Sequence, residues 1–144
     1  MELREVTAET VREICALQVA PGQRRFVAPN AVSLAEASFA SRAWPRAIYA
    51  DDVPVGFAML SIDDVEREYY LWRLMIADGF QGQGYGAAAI RLLVEHVRSL
   101  PGAAHLVTSW VPGPGSPEGF YLGLGFEPTG EVDDGEVEGQ PSHD

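Results

Sequence analysis

No lysine occurs in this chain, whose ten basic residues are all arginine, and cysteine occurs once, at Cys15. The first absence excludes a P-loop, whose grip on phosphate depends on a lysine. The second excludes a disulfide framework within one chain and permits a reducing compartment. Cys15 sits in a helical pattern, where a small buried apolar role is expected of it. No apolar window is long enough to span a bilayer, and the start, Met1-Glu2-Leu3-Arg4-Glu5, is charged and carries no apolar signal core. Cytoplasmic residence is therefore expected.

Positive charge is also nowhere dense. The formal net charge is −11, and residues 131 to 144 hold six acidic residues and no basic one, which leaves about −5 on the rest. Nucleic acid and anionic membrane both require clustered positive charge, so neither is expected as a partner. A cationic small molecule is compatible with such a surface, and so is a homodimer.

What is present suits one compact unit. At 144 residues and 47% hydrophobic, the chain can bury one good core and is too short for two ordinary domains. Residues 1–132 are expected to form the domain, with 133–144 an acidic tail that is a short strand or disordered. No internal repeat is visible.

Leu3 to Val6 reads as a first strand. Thr10-Val11-Arg12-Glu13 has the capping-box pattern and leads into a helix with Val11, Ile14, Cys15 and Gln18 on one face. Ser33-Leu34-Ala35-Glu36 repeats the pattern and predicts a second helix that ends before Pro45. The period then changes. Residues 47–50 and 54–62 read as a hairpin turning at Asp51-Asp52. Residues 67–76 form a strand apolar enough to be central. Residues 87–100 carry Ile90, Leu93, Val94 and Val97 at helical spacing up to Pro101-Gly102, and 105–111 read as a strand parallel to the previous one. A Pro/Gly-rich loop from Pro112 to Pro117, a short helix at 118–124 closed by Gly125, and a strand at 126–132 follow. Asp134-Gly135 reads as a hairpin turn leading to a final strand that is short or absent.

The segment carrying the chemistry is Gln81-Gly82-Gln83-Gly84-Tyr85-Gly86, between a strand and a helix. Backbone N–H groups in such a turn converge with the helix N-terminus on one anion, and glycines remove the Cβ atoms that would block the approach. Dipoles of this kind hold a diphosphate without lysine. The same stretch also fits the dinucleotide fingerprint through Gly82, Gly84 and Ala87, but that motif belongs after a first strand, not after a fourth. A glycine-rich helix start with no ligand is the bland alternative.

From Leu74 to Gly86 the chain resembles the coenzyme A motif of the GCN5-related N-acetyltransferases (GNAT), with Gln81, Gly84 and Gly86 at the motif's core. Phe120-Tyr121-Leu122-Gly123-Leu124-Gly125-Phe126 resembles the family's second motif, a tyrosine followed by Gly-Phe. The resemblance covers roughly residues 2 to 132, and within the family it is most similar to the bacterial spermine/spermidine (diamine) acetyltransferases. It implies an α/β fold with a central mixed sheet, flanked by helices, in which two parallel strands splay apart near a bulge.

The resemblance further implies that acetyl-CoA is the co-substrate and that no metal takes part. The acetyl group would pass by direct attack in a ternary complex to a primary amine, with a polyamine favoured and an amino acid, an antibiotic or a protein N-terminus as alternatives. A regulatory module that binds acyl-CoA is the competing class. On this footing the backbone of Met75 and Ile76 pairs with the pantetheine arm. Gln81, Gly82, Gln83, Gly84, Tyr85, Gly86 and Ala87 enclose the diphosphate, and Ser116 replaces a family asparagine whose position holds Pro114.

Tyr121 matches the acid that protonates the leaving thiolate, which a phenol with a pKa of about 10 can do; simple packing against the cofactor is the alternative. The family's basic carboxylate position holds Trp72, so Glu68, on the same strand face as Tyr70 and Trp72, is the candidate base. Asp63, Asp64 and Glu66 read as a solvated tip or as a lure for a cationic acceptor, and Tyr70 and Trp72 as core or as an aromatic wall for an ammonium. His96 and His143 read as surface residues and His105 as a strand opener, with no metal-ligand spacing.

Overall fold

In a computed structural model, residues 1–100, 106–110, 112, 116–133 and 136–141 are described. Seven strands, β1 (Glu2–Arg4), β2 (Ala43–Ala50), β3 (Val53–Asp63), β4 (Glu68–Ile76), β5 (Leu106–Trp110), β6 (Phe126–Asp133) and β7 (Glu136–Pro141), form one sheet in the order β1-β2-β3-β4-β5-β7-β6. Helices α1 (Val11–Ala16), α2 (Asn30–Ala37), α3 (Tyr85–Ser99) and α4 (Glu118–Gly123) flank it, with a 3₁₀ turn at Pro21–Gln23. Only β4 and β5 run parallel; every other neighbouring pair is antiparallel. The expected mixed sheet is observed, with β4 at its centre.

The sheet has a core on each face because β3 is apolar from Val53 to Leu60 and divides its side chains between the two sides. Val55, Ala58 and Leu60 pack with Ile90, Leu93 and Val97 of α3, whereas Phe57 and Met59 pack with Ile14 of α1 and with Met75. The hairpin joining β2 to β3 turns at Asp51 and Asp52, whose φ angles of 49° and 64° are those of a type I′ turn.

Both predicted capping boxes fail. Thr10 flanks α1, but its Oγ1 accepts the N–H of Thr7 at 2.9 Å and caps nothing in the helix. Helix α2 begins at Asn30, three residues before the expected Ser33. Pro29 stands as its cap, and the buried Asn30 donates from Nδ2 to the Ile14 carbonyl at 2.9 Å, tying α2 to the end of α1. Cys15 is half-buried rather than enclosed.

The last strand settles how the sheet is finished. β7, read from the sequence as short or absent, is six residues long and inserts between β5 and β6, with Thr108 opposite Gly139 and Trp110 opposite Val137. Gly139 is what that position tolerates, since a Cβ there would lie 2.5 Å from the Trp110 ring. Residues 101–102, 105, 114, 134–135 and 143, on which several sequence expectations fall, lie outside the described residues. No helix among the described residues is long and apolar enough to cross a membrane.

Candidate active site

The parallel pair opens almost as soon as it forms. Tyr69, Tyr70 and Leu71 face Leu106, Val107 and Thr108, and pairing stops there. At the same level the register of β4 against β3 jumps, with Leu60 opposite Leu71 but Met59 opposite Arg73, so Trp72 is the extra residue of a β-bulge. On its other edge β5 pairs with β7, from Thr108 to Trp110. From Trp72 to Ile76 the β5 side of β4 has no strand partner among the described residues, and a cavity of about 1080 Å³ lies there.

Its lining comes from four directions: the connection from α1 to α2 (Gln23 to Pro29), the open stretch of β4, the glycine turn with the start of α3, and β5 with α4. Met75, Ile76, Gln81, Gly82, Gly84, Tyr85, Gly86, Ala87, Ser116 and Tyr121, all expected at the site, lie on that lining. Gln83 and Glu68 do not. Gln83 is exposed beside it, and Glu68 is exposed at the far end of β4, opposite Asp63.

Gly82 and Gly84 have φ angles of 78° and 80°, a region that costs an L-residue strain, and this turns the chain into α3. Gly84 caps α3 without a side chain, and no acidic residue stands in the first turn. The first N–H groups of a helix have no partner within it and carry the positive end of its dipole. Here they line a cavity wall. At Gly86 the missing Cβ also makes room for the Phe120 ring, whose edge would be 3.1 Å away. It lets α4 close on α3. The Gln81 side chain clasps the turn, donating from Nε2 to the Ile76 carbonyl at 3.0 Å and to Gln23 Oε1 at 2.7 Å.

Tyr121 is buried among Trp110, Phe120 and Phe126, with ring centroids at 5.7, 5.3 and 5.5 Å. Burial pushes its phenol up to about 12, with a hydrogen bond to Thr108 pulling slightly the other way. It remains a proton donor at any ordinary pH. Ser116 Oγ accepts the Glu118 N–H at 3.2 Å and so helps start α4.

Several lining residues were not anticipated. Thr108 and Ser109 of β5 and Glu136 of β7 join the cavity, as do Arg24, Arg25 and Arg73. The Asp134-Gly135 turn signal could have found Glu136, because it makes the next residue the first of a returning strand. Asp63, by contrast, is not a solvated tip. It is buried, its Oδ1 accepts the N–H groups of Val65 and Glu66 at 3.1 Å each, and its carboxylate pairs with Arg42 at 3.0 Å. His96 is not simply on the surface either, since its ring stacks on Trp44 at 4.2 Å. Among the described residues no group of His, Cys, Asp and Glu could hold a metal ion.

Comparison with known proteins bears on this geometry. A family model described as "Acetyltransferase (GNAT) family" matches residues 31–126. The chain is 24% identical over 139 residues to a spermine/spermidine N(1)-acetyltransferase of Bacillus subtilis, covering 92% of this chain and 91% of that one. Among solved structures, an acetyltransferase from Thermus thermophilus superposes with a TM-score of 0.73 at 16% identity, over 96% of this chain and 94% of the other. Tetrahymena GCN5 does so with a TM-score of 0.71 at 13% identity, over 98% and 95%. These structural likenesses are likenesses of fold.

Proposed function

The chain belongs to the acetyltransferase (GNAT) family, and from that premise we propose that it transfers the acetyl group of acetyl-CoA to a primary amine of a polyamine such as spermidine or spermine, by direct attack in a ternary complex. The observation that carries the reading is the wedge between β4 and β5, with a strand edge on one wall and the start of α3, capped by no side chain, on another. An extended arm of amides fits the first and an anionic diphosphate the second. The polyamine itself is supported by the activity named for the Bacillus relative.

In this reading the N–H groups from Gly82 to Ala87 hold the diphosphate, with Gln81 and Gln83 at its flank, and the backbone at Met75 and Ile76 meets the pantetheine arm. Ser116 faces that arm from the start of α4. Tyr121 supplies a proton to the departing thiolate, a role that suits a phenol kept neutral by burial. Glu68 has no place on the cavity wall, so a part for it as base would require other groups to carry the proton to it. The test is thiol release from acetyl-CoA across a panel of amines. Turnover with spermidine or spermine supports the polyamine, and turnover with another amine alone keeps the chemistry and removes that acceptor.

A second acceptor class is favoured by a specific feature. Arg24, whose guanidinium donates to the neutral Gln18 Oε1 at 3.0 Å, lines the cavity beside Arg25 and Arg73. Arg73 is held by Glu36 at 2.9 Å. Such a wall suits an acceptor with an anionic group near its amine, as in an amino acid. Glycine or alanine in the same panel separates the two classes.

A further inference from the structure

With Glu68 away from the cavity, Glu136 is the one carboxylate on the lining among the described residues. It is exposed, but its carboxylate is tied to the neighbouring strand. Its Oε1 accepts a hydrogen bond from Ser109 Oγ at 3.2 Å, and Ser109 Oγ is also hydrogen-bonded to the Tyr70 hydroxyl. A serine hydroxyl has one proton, so if Ser109 gives it to Glu136, Tyr70 must be the donor to Ser109. The chain of donors therefore has one direction, from Tyr70 on β4 through Ser109 on β5 to the carboxylate at the start of β7. It starts at Tyr70, inside the paired stretch opposite Val107, and reaches Ser109, one residue past Thr108, the last residue of β5 that pairs with β4.

We infer that Glu136 is the base of the transfer reaction: its carboxylate receives the acceptor's ammonium and takes its proton, while Ser109 and Tyr70 are positioning residues that fix the carboxylate. This rests on the acetyl-transfer reading above. The proton on R–NH₃⁺ passes to the Glu136 carboxylate and frees the lone pair. The nitrogen then forms its bond to the acetyl carbon, and the carbon–sulfur bond breaks with its electron pair going to sulfur. Tyr121 gives a proton to the sulfur and recovers one from the new amide nitrogen, and Glu136 releases its own to water. Atoms and charge balance as R–NH₃⁺ and acetyl-CoA giving R–NH–acetyl, free CoA thiol and a proton.

Among the described residues, the charged groups that act on the Tyr70 end of this chain are Glu136 and Glu138 of β7 and Arg73 of β4. Glu138 is occupied elsewhere, its Oε1 accepting from Thr129 at 3.1 Å. Position is the other argument. Tyr121, the proposed acid, and Glu136, the proposed base, both line the one cavity, as an acid and a base serving one reaction must.

The experiment compares the full chain with Glu136→Gln, which keeps the acceptor oxygen for Ser109, and with Ser109→Ala and Ser109→Thr. Acetyl-CoA affinity is measured by calorimetry, and thiol release with spermidine and with glycine from pH 6.5 to 10. Glu136→Gln should lower kcat/KM about 100-fold at pH 7 with unchanged acetyl-CoA affinity. The deficit should shrink toward pH 10, where the amine, with a pKa of about 10.4, sheds its proton unaided. Ser109→Ala should show a smaller loss with the same pH trend, and Ser109→Thr should restore activity. Wild-type turnover with a Glu136→Gln profile parallel to it at every pH overturns the inference alone. Wild-type chain that binds acetyl-CoA but acetylates neither amine overturns the transfer reading and the inference together.

Discussion

Trp110 donates its indole N–H to Glu118 Oε2 at 2.7 Å, joining the last residue of β5 to the first of α4. Helix α4 has six residues, too few to hold its shape by its own hydrogen bonds, and it carries Tyr121. The bond therefore sets where the phenol stands, reinforced by the stacking of Trp110 on Tyr121. Glu118→Ala should cost about 1.5–3 kcal/mol in urea unfolding, the range for a hydrogen bond to a charged group. It should also lower kcat more than acetyl-CoA affinity. Glu118→Gln keeps an acceptor oxygen and should recover most of both.

Tyr121→Phe separates acid catalysis from packing. The ring stays, so acetyl-CoA affinity should hold while kcat falls about 100-fold. A stability signature accompanies it. The folded phenol is raised to about 12 by burial, against about 10 in the unfolded chain, so the folded state holds this proton more tightly. The stability from burying it neutral is intact below pH 10 and is lost as pH rises through 12, amounting to about 3 kcal/mol over that window. Denaturant midpoints of the wild type should fall more steeply between pH 10 and 12 than those of Tyr121→Phe.

Much of this was legible in the residues. The period of two in 54–62 and of 3.6 in 87–97, punctuated by Asp51-Asp52 and the glycine turn, placed strands and the main helix within a few positions of where they fold. The parallel pair followed from strand, turn, helix and strand in succession. What escaped depends on contacts between distant segments. Nothing near Asn30 says that its amide will find the carbonyl of Ile14, yet that bond accompanies the early start of α2. Glu136 looked like one acid among the many in an acidic tail, because only the pairing of β7 with β5 sets it beside Ser109. Extrapolating side-chain alternation along β4 could not reveal that Glu68 stands beyond the wedge, since the bulge at Trp72 marks where the wedge begins.

Gly84 offers a test of the turn that avoids steric crowding within the protein. A Cβ added there would meet no atom within 4 Å, but φ of 80° strains any L-residue. Gly84→Ala should therefore lower stability by about 1–2 kcal/mol through backbone strain. If the N–H groups beside it hold the diphosphate, acetyl-CoA Kd should rise at least about tenfold, since each 1.4 kcal/mol of lost contact is a factor of ten. Gly22, which likewise has nothing within 4 Å but no unusual φ, is the control, and Gly22→Ala should leave the Kd unchanged in calorimetry.

Away from the cavity, His96 lies flat on Trp44, at 4.2 Å and 18° between planes, while the Arg46 guanidinium sits 3.9 Å from the centroid of the same indole. Partial burial lowers the histidine's proton affinity, and the nearby Arg46 lowers it further. Because the folded-state value lies below the unfolded 6.5, the neutral ring is the one the fold accommodates. Its contribution to stability is present above pH 6.5 and is lost as pH falls through the lower folded value. Arg46 has Glu5 at 3.9 Å as its own counterion, so protonating His96 would still bring a second cation to the indole. An NMR titration of the ring protons should give His96 a midpoint below 6.5. Arg46→Gln should raise that midpoint, and a midpoint that stays where it was would show that Arg46 has no hold on this histidine.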